Sequence, residues 1–271
     1  MRKLIIVPIL LFIIGIKGNA QENPDHLNIF KEPAVTIEEN YSVKFFDIVS
    51  KMDYCKLRVQ LENKTSDFLI YREEENKFIY DFGEYKPKSK TDIIKPHSKD
   101  GLTLKIDGDN RFHTDTFNFE FNGLYQVPID GEVFEAENFQ LPLSKNEFDV
   151  GPFNVKVLKI SQETDETAVK FKCTYNGDKI GFINPNKLVV KIESGQEFAN
   201  DKREKNLKAL QPGDDFKFVA AFHIPGKIID MQFATMHIIW KDTFVESTPK
   251  LLKSQSIEFV IDPVITEEKN K

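Results

Sequence analysis

From Val35 onward, apolar and polar positions alternate in short runs separated by turn residues. Tyr41–Ile48, Cys55–Leu61, Leu102–Ile106 and Thr116–Phe121 have strand length and period-two alternation in the first half. Phe153–Ile160, Val169–Tyr175, Lys187–Ile192, Phe216–His223, Gln232–Trp240 and Ser256–Ile261 continue the pattern. Asn122-Gly123, Asp130-Gly131, Asn176-Gly177, Ser194-Gly195 and Pro212-Gly213 punctuate the runs, because Gly and, less readily, Asn or Asp tolerate positive φ. The Asp107–Arg111 stretch reads as the hairpin turn between Leu102–Ile106 and Thr116–Phe121. No long amphipathic helix is present; the best helical candidate, Glu197–Leu210, is polar enough to be a loop with one or two turns.

The pattern repeats. Val43–Ile48 matches Val155–Ile160 at an offset of 112, and the same offset places Leu57, Val59 and Leu61 on Val169, Phe171 and Cys173. A four-residue insertion then aligns Pro96 with Pro212. Inward and outward phase persists across these strands, which predicts a duplication. The expected fold class is all-β, with two tandem antiparallel sandwiches over residues 35–145 and 146–263 and a boundary near Leu143–Pro152. Residues 21–34 read as a flexible lead-in and residues 264–271 as a charged tail that frays.

The second unit runs FNVKVLKI, a strand ending in YNGD, NKLVVKIESG, a polar excursion, LQPGDDFKFVAAFHIP, and a late strand with Trp240. That order resembles the immunoglobulin-like domains of unknown function on exported bacterial proteins, which are similar to a secreted mycobacterial immunoprotective antigen. The resemblance covers Tyr41–Pro142 loosely and Phe153–Ile261 better. The first unit departs from it, with Pro96-His97 where Pro-Gly is expected, and the antibody-type Cys…Trp…Cys signature is absent. It implies an immunoglobulin-like fold and carries over no catalytic residue.

The start of the chain changes the compartment. Arg2 and Lys3, an apolar run from Leu4 to Ile16, and Gly18-Asn19-Ala20 make residues 1–20 a secretion signal. Thirteen apolar residues are too few to span a bilayer comfortably, which takes about 20. An integral span in the mature chain is therefore not expected, and the protein reads as exported: periplasmic, outer-surface or secreted. Removing Arg2, Lys3 and Lys17 takes the 37 bases to 34 against 43 acids, so the net charge moves from −6 to −9. Such a balance argues against nucleic acid as a partner. Cys55 and Cys173 each fall on the apolar phase of a strand and read as free, buried thiols.

Candidate chemistry is sparse. Nucleophile-elbow, zincin, phosphate-loop and dinucleotide motifs are missing, so no cofactor and no catalytic residue is assigned. Trp240, the sole tryptophan, and His237 on the same strand are the candidate ligand-binding residues, since an indole at a strand end can stack on a sugar or a partner. Core packing is the competing reading for Trp240. His223 and His237 bind a metal only if their strands are neighbours. Asp107 and Asp109, at alternate positions in Asp107-Gly108-Asp109-Asn110-Arg111, resemble the start of a calcium loop, although Arg111 occupies the third ligand position. Asn40-Tyr41-Ser42 and Asn63-Lys64-Thr65 match the glycan acceptor pattern.

Together these features describe a non-catalytic exported binding protein of the bacterial envelope that recognises a protein partner through loops or a sheet edge. An extracellular carbohydrate-binding module is the alternative, and a carboxylate-dependent hydrolase the third reading. The mix of 24 Phe with 7 Tyr and one Trp favours sandwich cores over a sugar platform.

Overall fold

The computed structural model describes residues 25–108, 110–141, 145–202 and 207–271. The secretion signal expected at residues 1–20 lies outside the described residues. In chain order the first half forms β1 (Asn28–Ile29), β2 (Thr36–Ile37), β3 (Tyr41–Ser50), β4 (Tyr54–Asn63) and β5 (Phe68–Arg72). A 3-10 turn leads to β6 (Lys77–Tyr80), β7 (Gly83–Tyr85), β8 (Thr91–Ile94) and β9 (Lys99–Asp107). β10 (Thr116–Phe121), β11 (Leu124–Val127), β12 (Glu132–Phe134) and β13 (Phe139–Leu141) follow. The second half opens with β14 (Glu147–Val150), β15 (Phe153–Gln162), β16 (Glu166–Tyr175) and β17 (Ile180–Ile183). It continues through β18 (Leu188–Ile192), β19 (Glu197–Ala199), β20 (Lys208–Leu210) and β21 (Asp215–His223). β22 (Met236–Trp240), β23 (Phe244–Ser247), β24 (Lys250–Leu251) and β25 (Gln255–Val260) precede one helix, α1 (Pro263–Lys269). The fold is all-β and sandwich-like, and every strand pairing is antiparallel.

The same spacing recurs in the strands. β3 and β15, β4 and β16, and the starts of β5 and β17 sit at the offset of 112, while β9 and β21 sit at 116. β3-β4-β9 in one unit corresponds to β15-β16-β21 in the other, and each first hairpin carries a bulge, between Phe46 and Val49 and between Val157 and Lys159. The facing layer of each unit is broken into two four-stranded pieces: β25-β10-β6-β7 and β24-β11-β5-β8 in the first, β13-β22-β18-β19 and β12-β23-β17-β20 in the second.

These pieces reveal an exchange. β12 and β13 pair with β23 and β22 of the second unit, whereas β24 and β25 pair with β11 and β10 of the first. The chain therefore crosses to the other unit after β11 and crosses back after β23. The expected division at residue 145 is not the division of the sheets. Gly131 makes the outward crossing possible: a Cβ there meets the Glu246 carbonyl, so only glycine lets β12 approach β23 at this point.

Two large cores result. One gathers Phe30, Phe45, Leu57, Phe119 and, from the far end of the chain, Phe259; the other gathers Phe139, Phe153, Phe171, Cys173 and Trp240. A smaller cluster joins the units through Phe68, Ile70 and Val127 on one side and Ile180, Phe182 and Ala209 on the other. The offset of 112 carries Phe68 onto Ile180 and Ile70 onto Phe182, so both units present the same two positions to the junction.

Several sequence expectations are corrected. β9 pairs with β4, and β10 with β6 and β25, so the two strands lie in different sheets and do not form a hairpin with each other. The helical candidate 197–210 supplies β19 and β20 at its ends, because Val190 and Phe182 offer open ladder partners. The lead-in is anchored: β1 pairs with β3, and Phe30 is 3% exposed. The tail is helical, with the Asp262 carboxylate accepting from the Ile265 N–H as its N-cap. Thr266 Oγ1 accepts from the Ile29 N–H at 3.0 Å, and Asn270 Oδ1 accepts from the Leu27 N–H at 2.9 Å, so α1 packs against residues 27–29. No helix among the described residues is long and apolar enough to cross a membrane.

Candidate functional site

Docking of β1 and α1 against the first unit creates a broad groove. β1 and α1 wall a groove of about 910 Å³ whose floor is the outer face of β3, β4 and β9. Period two sends Leu57, Val59 and Leu61 inward and Tyr54, Lys56 and Arg58 outward, so β4 brings an aromatic and two cations to the floor. Val49 and Thr103 flank them, and Leu27, Ile29 and Ile265 form an apolar side. Lys31, Lys51 and Lys269 add charge at the margin, against the acids Glu32, Asp47 and Asp262.

The cations are held by aromatic faces and a few carboxylates. Lys105 Nζ lies 4.8 Å from the Tyr54 ring centre and Lys56 Nζ 5.9 Å; the Arg58 guanidinium lies 4.8 Å from the Phe46 ring. Arg58 also reaches Asp47 at 3.4 Å, which the β3 bulge presents in the left-handed region at φ 50°. Lys51 pairs with Asp25 at 3.0 Å and Lys105 with Asp107 at 2.6 Å; these hydrogen bonds raise both ammonium pKa values and keep the groups charged at neutral pH. Among the described residues, Lys31, Lys56 and Lys269 have no carboxylate within 4.0 Å. The groove thus combines an apolar trough with unneutralised cations, in a chain whose overall balance is acidic.

The duplicate acts as an internal control. At the offset of 112 the positions of Lys51, Tyr54, Lys56 and Arg58 are held by Glu163, Glu166, Ala168 and Lys170, and at 116 Lys105 becomes Ala221. The fold tolerates acid or alanine at four of these positions and keeps a cation at the fifth, so Lys51, Tyr54, Lys56 and Lys105 are not demanded by sandwich packing.

The residues singled out from sequence lie elsewhere. Trp240 is 1% exposed, with its ring 5.1 Å from Phe171 and 5.4 Å from Phe148 and Phe244, so it cannot form a ligand platform. It falls on the inward phase with Met236 and Ile238, which is the physical reason. His237 takes the other phase, half-buried, opposite Gln140 and Lys191. His223 is exposed on β21, in a different sheet, so the two histidines do not form a pair. Asp107 is bound by Lys105, and Asp109 lies outside the described residues. Among the described residues no group of three or more His, Cys, Asp or Glu side chains is placed to hold a metal ion. Asn63 is 1% exposed, its amide donating to Asp67 O at 2.7 Å and Lys95 O at 3.0 Å, so that acceptor motif is closed in the folded chain.

One buried carboxyl has unusual electrostatics. Glu73, with its side chain 7% exposed, is raised to about 7 by burial and then by its hydrogen bond with Asp92; Lys90 at 3.3 Å pulls the other way. Neither carboxylate lines the groove. The signal that sequence reasoning passed over was the outward phase of β4, where Tyr54, Lys56 and Arg58 read as ordinary polar surface.

No protein-family model matches the chain, and no curated protein matches it. Among solved structures, the crystal structure of the conserved domain protein from Bacillus anthracis aligns with 86% of this chain and 92% of its own at 11% identity, with a TM-score of 0.25. A likeness that low carries no argument about fold or function.

Proposed function

We propose that this is an exported, non-catalytic binding protein of the bacterial envelope, built of tandem immunoglobulin-like sandwiches, that takes an acidic segment of a protein partner at the β3-β4-β9 face. The observation that carries the reading is the groove. Lys51, Tyr54 and Lys56 stand where the second unit has Glu163, Glu166 and Ala168, and the apolar trough gives a partner surface to bury. Cationic rims around apolar floors steer acidic partners and discriminate against basic ones. The glycan reading loses its platform with Trp240 buried.

The test is crosslinking capture from an envelope fraction with the wild-type chain and the double variant K56E/R58E. The expected result is a partner crosslinked through an acidic segment to residues 46–58, weakened by salt and lost in the variant. Capture that is indifferent to the variant, or crosslinks confined to other faces, overturns the proposal. Hydrogen-exchange protection across β3, β4 and β9 verifies folding of the variant.

A further inference from the structure

Each unit carries a hairpin of the same build, and the two hairpins differ in charge. Lys51 N–H donates to Tyr54 O at 2.9 Å where β3 turns into β4, and Glu163 N–H donates to Glu166 O at 2.7 Å where β15 turns into β16. The first hairpin borders the groove, whose acids are engaged: Glu32 faces Lys44 at 3.8 Å, Asp47 faces Arg58 at 3.4 Å, and Asp262 caps α1. Lys31, Lys56 and Lys269 remain as its surplus charge. The second hairpin carries Glu163, Asp165 and Glu166, all exposed, and Asp230 is exposed on the loop packed against it. Among the described residues none of these four acids has a base within 4.0 Å. Lys227 is the only base in that loop, residues 224–235.

An apolar knob stands among the acids. Residues 224–235 join β21 to β22 and are tied to the acidic hairpin by three hydrogen bonds. Ile224 N–H donates to Asp165 O at 3.0 Å, Met231 N–H to Thr164 O at 3.0 Å, and Gln162 Nε2 to Met231 O at 3.1 Å. Met231 is fully buried and anchors the loop, whereas Phe233 is 78% exposed and Ile228 44%. The connector in the first unit, residues 108–115, is four residues shorter and buries its aromatic, Phe112. A phenylalanine held in water forgoes the gain of burial, and because its loop is already fixed, covering it costs little ordering.

We infer that the acidic tip of one copy's second unit seats in the cationic groove of the next copy's first unit. Phe233 and Ile228 then lie against the apolar side of the groove, Leu27, Ile29 and Ile265, and the acids face its surplus lysines. This rests on the acidic-partner reading above and names the partner: a second copy of the chain. β4 and β16 each run ten residues from their hairpin toward Phe68 and Ile180 at the junction. At about 3.3 Å per residue that is roughly 30 Å, so groove and tip lie at the far ends of their units and join between copies. The contact is heterologous, and its repetition builds a head-to-tail array. Opposite charges steer the encounter, and apolar burial holds it.

The test is analytical ultracentrifugation of the exported chain, residues 21–271, across concentration and salt. The expected result is association that grows with concentration and weakens by about tenfold or more as salt screens the charges. Phe233→Ser should weaken it by about tenfold or more, and that side chain already stands in water, so the variant leaves both cores intact. K56E/R58E and E163K/E166K should each be monomeric alone, the first with two acidic faces and the second with two cationic ones. Their mixture should associate again, because each groove then meets a tip of opposite sign, and this recovery shows that both variants fold. A wild-type chain that stays monomeric, or association indifferent to Phe233→Ser and to both charge variants, overturns the head-to-tail contact. If the chain is monomeric while K56E/R58E still abolishes capture of a different envelope protein, the self-contact falls and the acidic-partner reading stands.

Discussion

Phe259 lies twelve residues from the C-terminus, yet its ring is 5.0 Å from Phe117 and 6.2 Å from both Phe45 and Phe119, in the core of the first unit. It is fully buried. Truncation to alanine removes a buried aromatic and leaves a cavity, at a cost of about 3–5 kcal/mol. A domain of this size has roughly 5–15 kcal/mol of stability in total, so the loss is a large fraction. In a sequential tandem, F259A would injure the C-terminal unit. With the strands exchanged, it must injure the unit made mostly of residues 28–127. Hydrogen exchange read peptide by peptide separates these outcomes. Protection in β3, β4 and β9 should fall by roughly two to nearly four orders of magnitude, while β15, β16 and β21 keep most of theirs. The mirror variant is F139A: Phe139 is 1% exposed, on β13, and packs 5.3 Å from Phe148 in the second core. It should strip protection from β15 and β16 and redden the emission of Trp240, which F259A should leave unchanged. Loss of protection at 153–175 in F259A, with 41–63 intact, would refute the exchange. Equal loss in both units would refute the separateness of the cores.

Two further predictions follow from burial. Because the Glu73 carboxyl is raised to about 7 in the folded chain, the folded state holds a proton that the unfolded state releases between the ordinary glutamate range and pH 7. The associated stability is complete below the ordinary glutamate pKa and lost as pH rises through 7, so urea midpoints should fall from pH 5 to pH 8, and Glu73→Gln should flatten that slope and raise the midpoint at pH 8. The thiols of Cys55 and Cys173, fully buried and each pushed up to about 12 by desolvation, should resist alkylation at pH 8 in the native chain and react together on unfolding; fast labelling of either native thiol contradicts the packing.

The candidate site was legible only in part. The alternation in Cys55–Leu61 foretold which side chains face the core, and with it that Lys56 and Arg58 face out. Nothing local distinguished those two cations from any solvated pair, because a groove exists there only after β1 and α1, from opposite ends of the described chain, dock together. For Trp240 the two sequence readings, core aromatic and ligand platform, divide on depth: its inward phase is readable from Met236 and Ile238, but its burial depends on Phe148, Phe171 and Phe244 closing over it.

Sequence alone determined the all-β class and the inward and outward phases, because side-chain alternation and glycine turns are encoded over a few neighbouring residues. The tertiary structure decided which strand pairs with which. β12, β13, β24 and β25 carry alternating patterns that suit either unit, and an antiparallel edge accepts any strand of matching phase. The choice fell to chain geometry, through a crossing at Gly131 and the cores that Phe139 and Phe259 complete in the unit opposite their own.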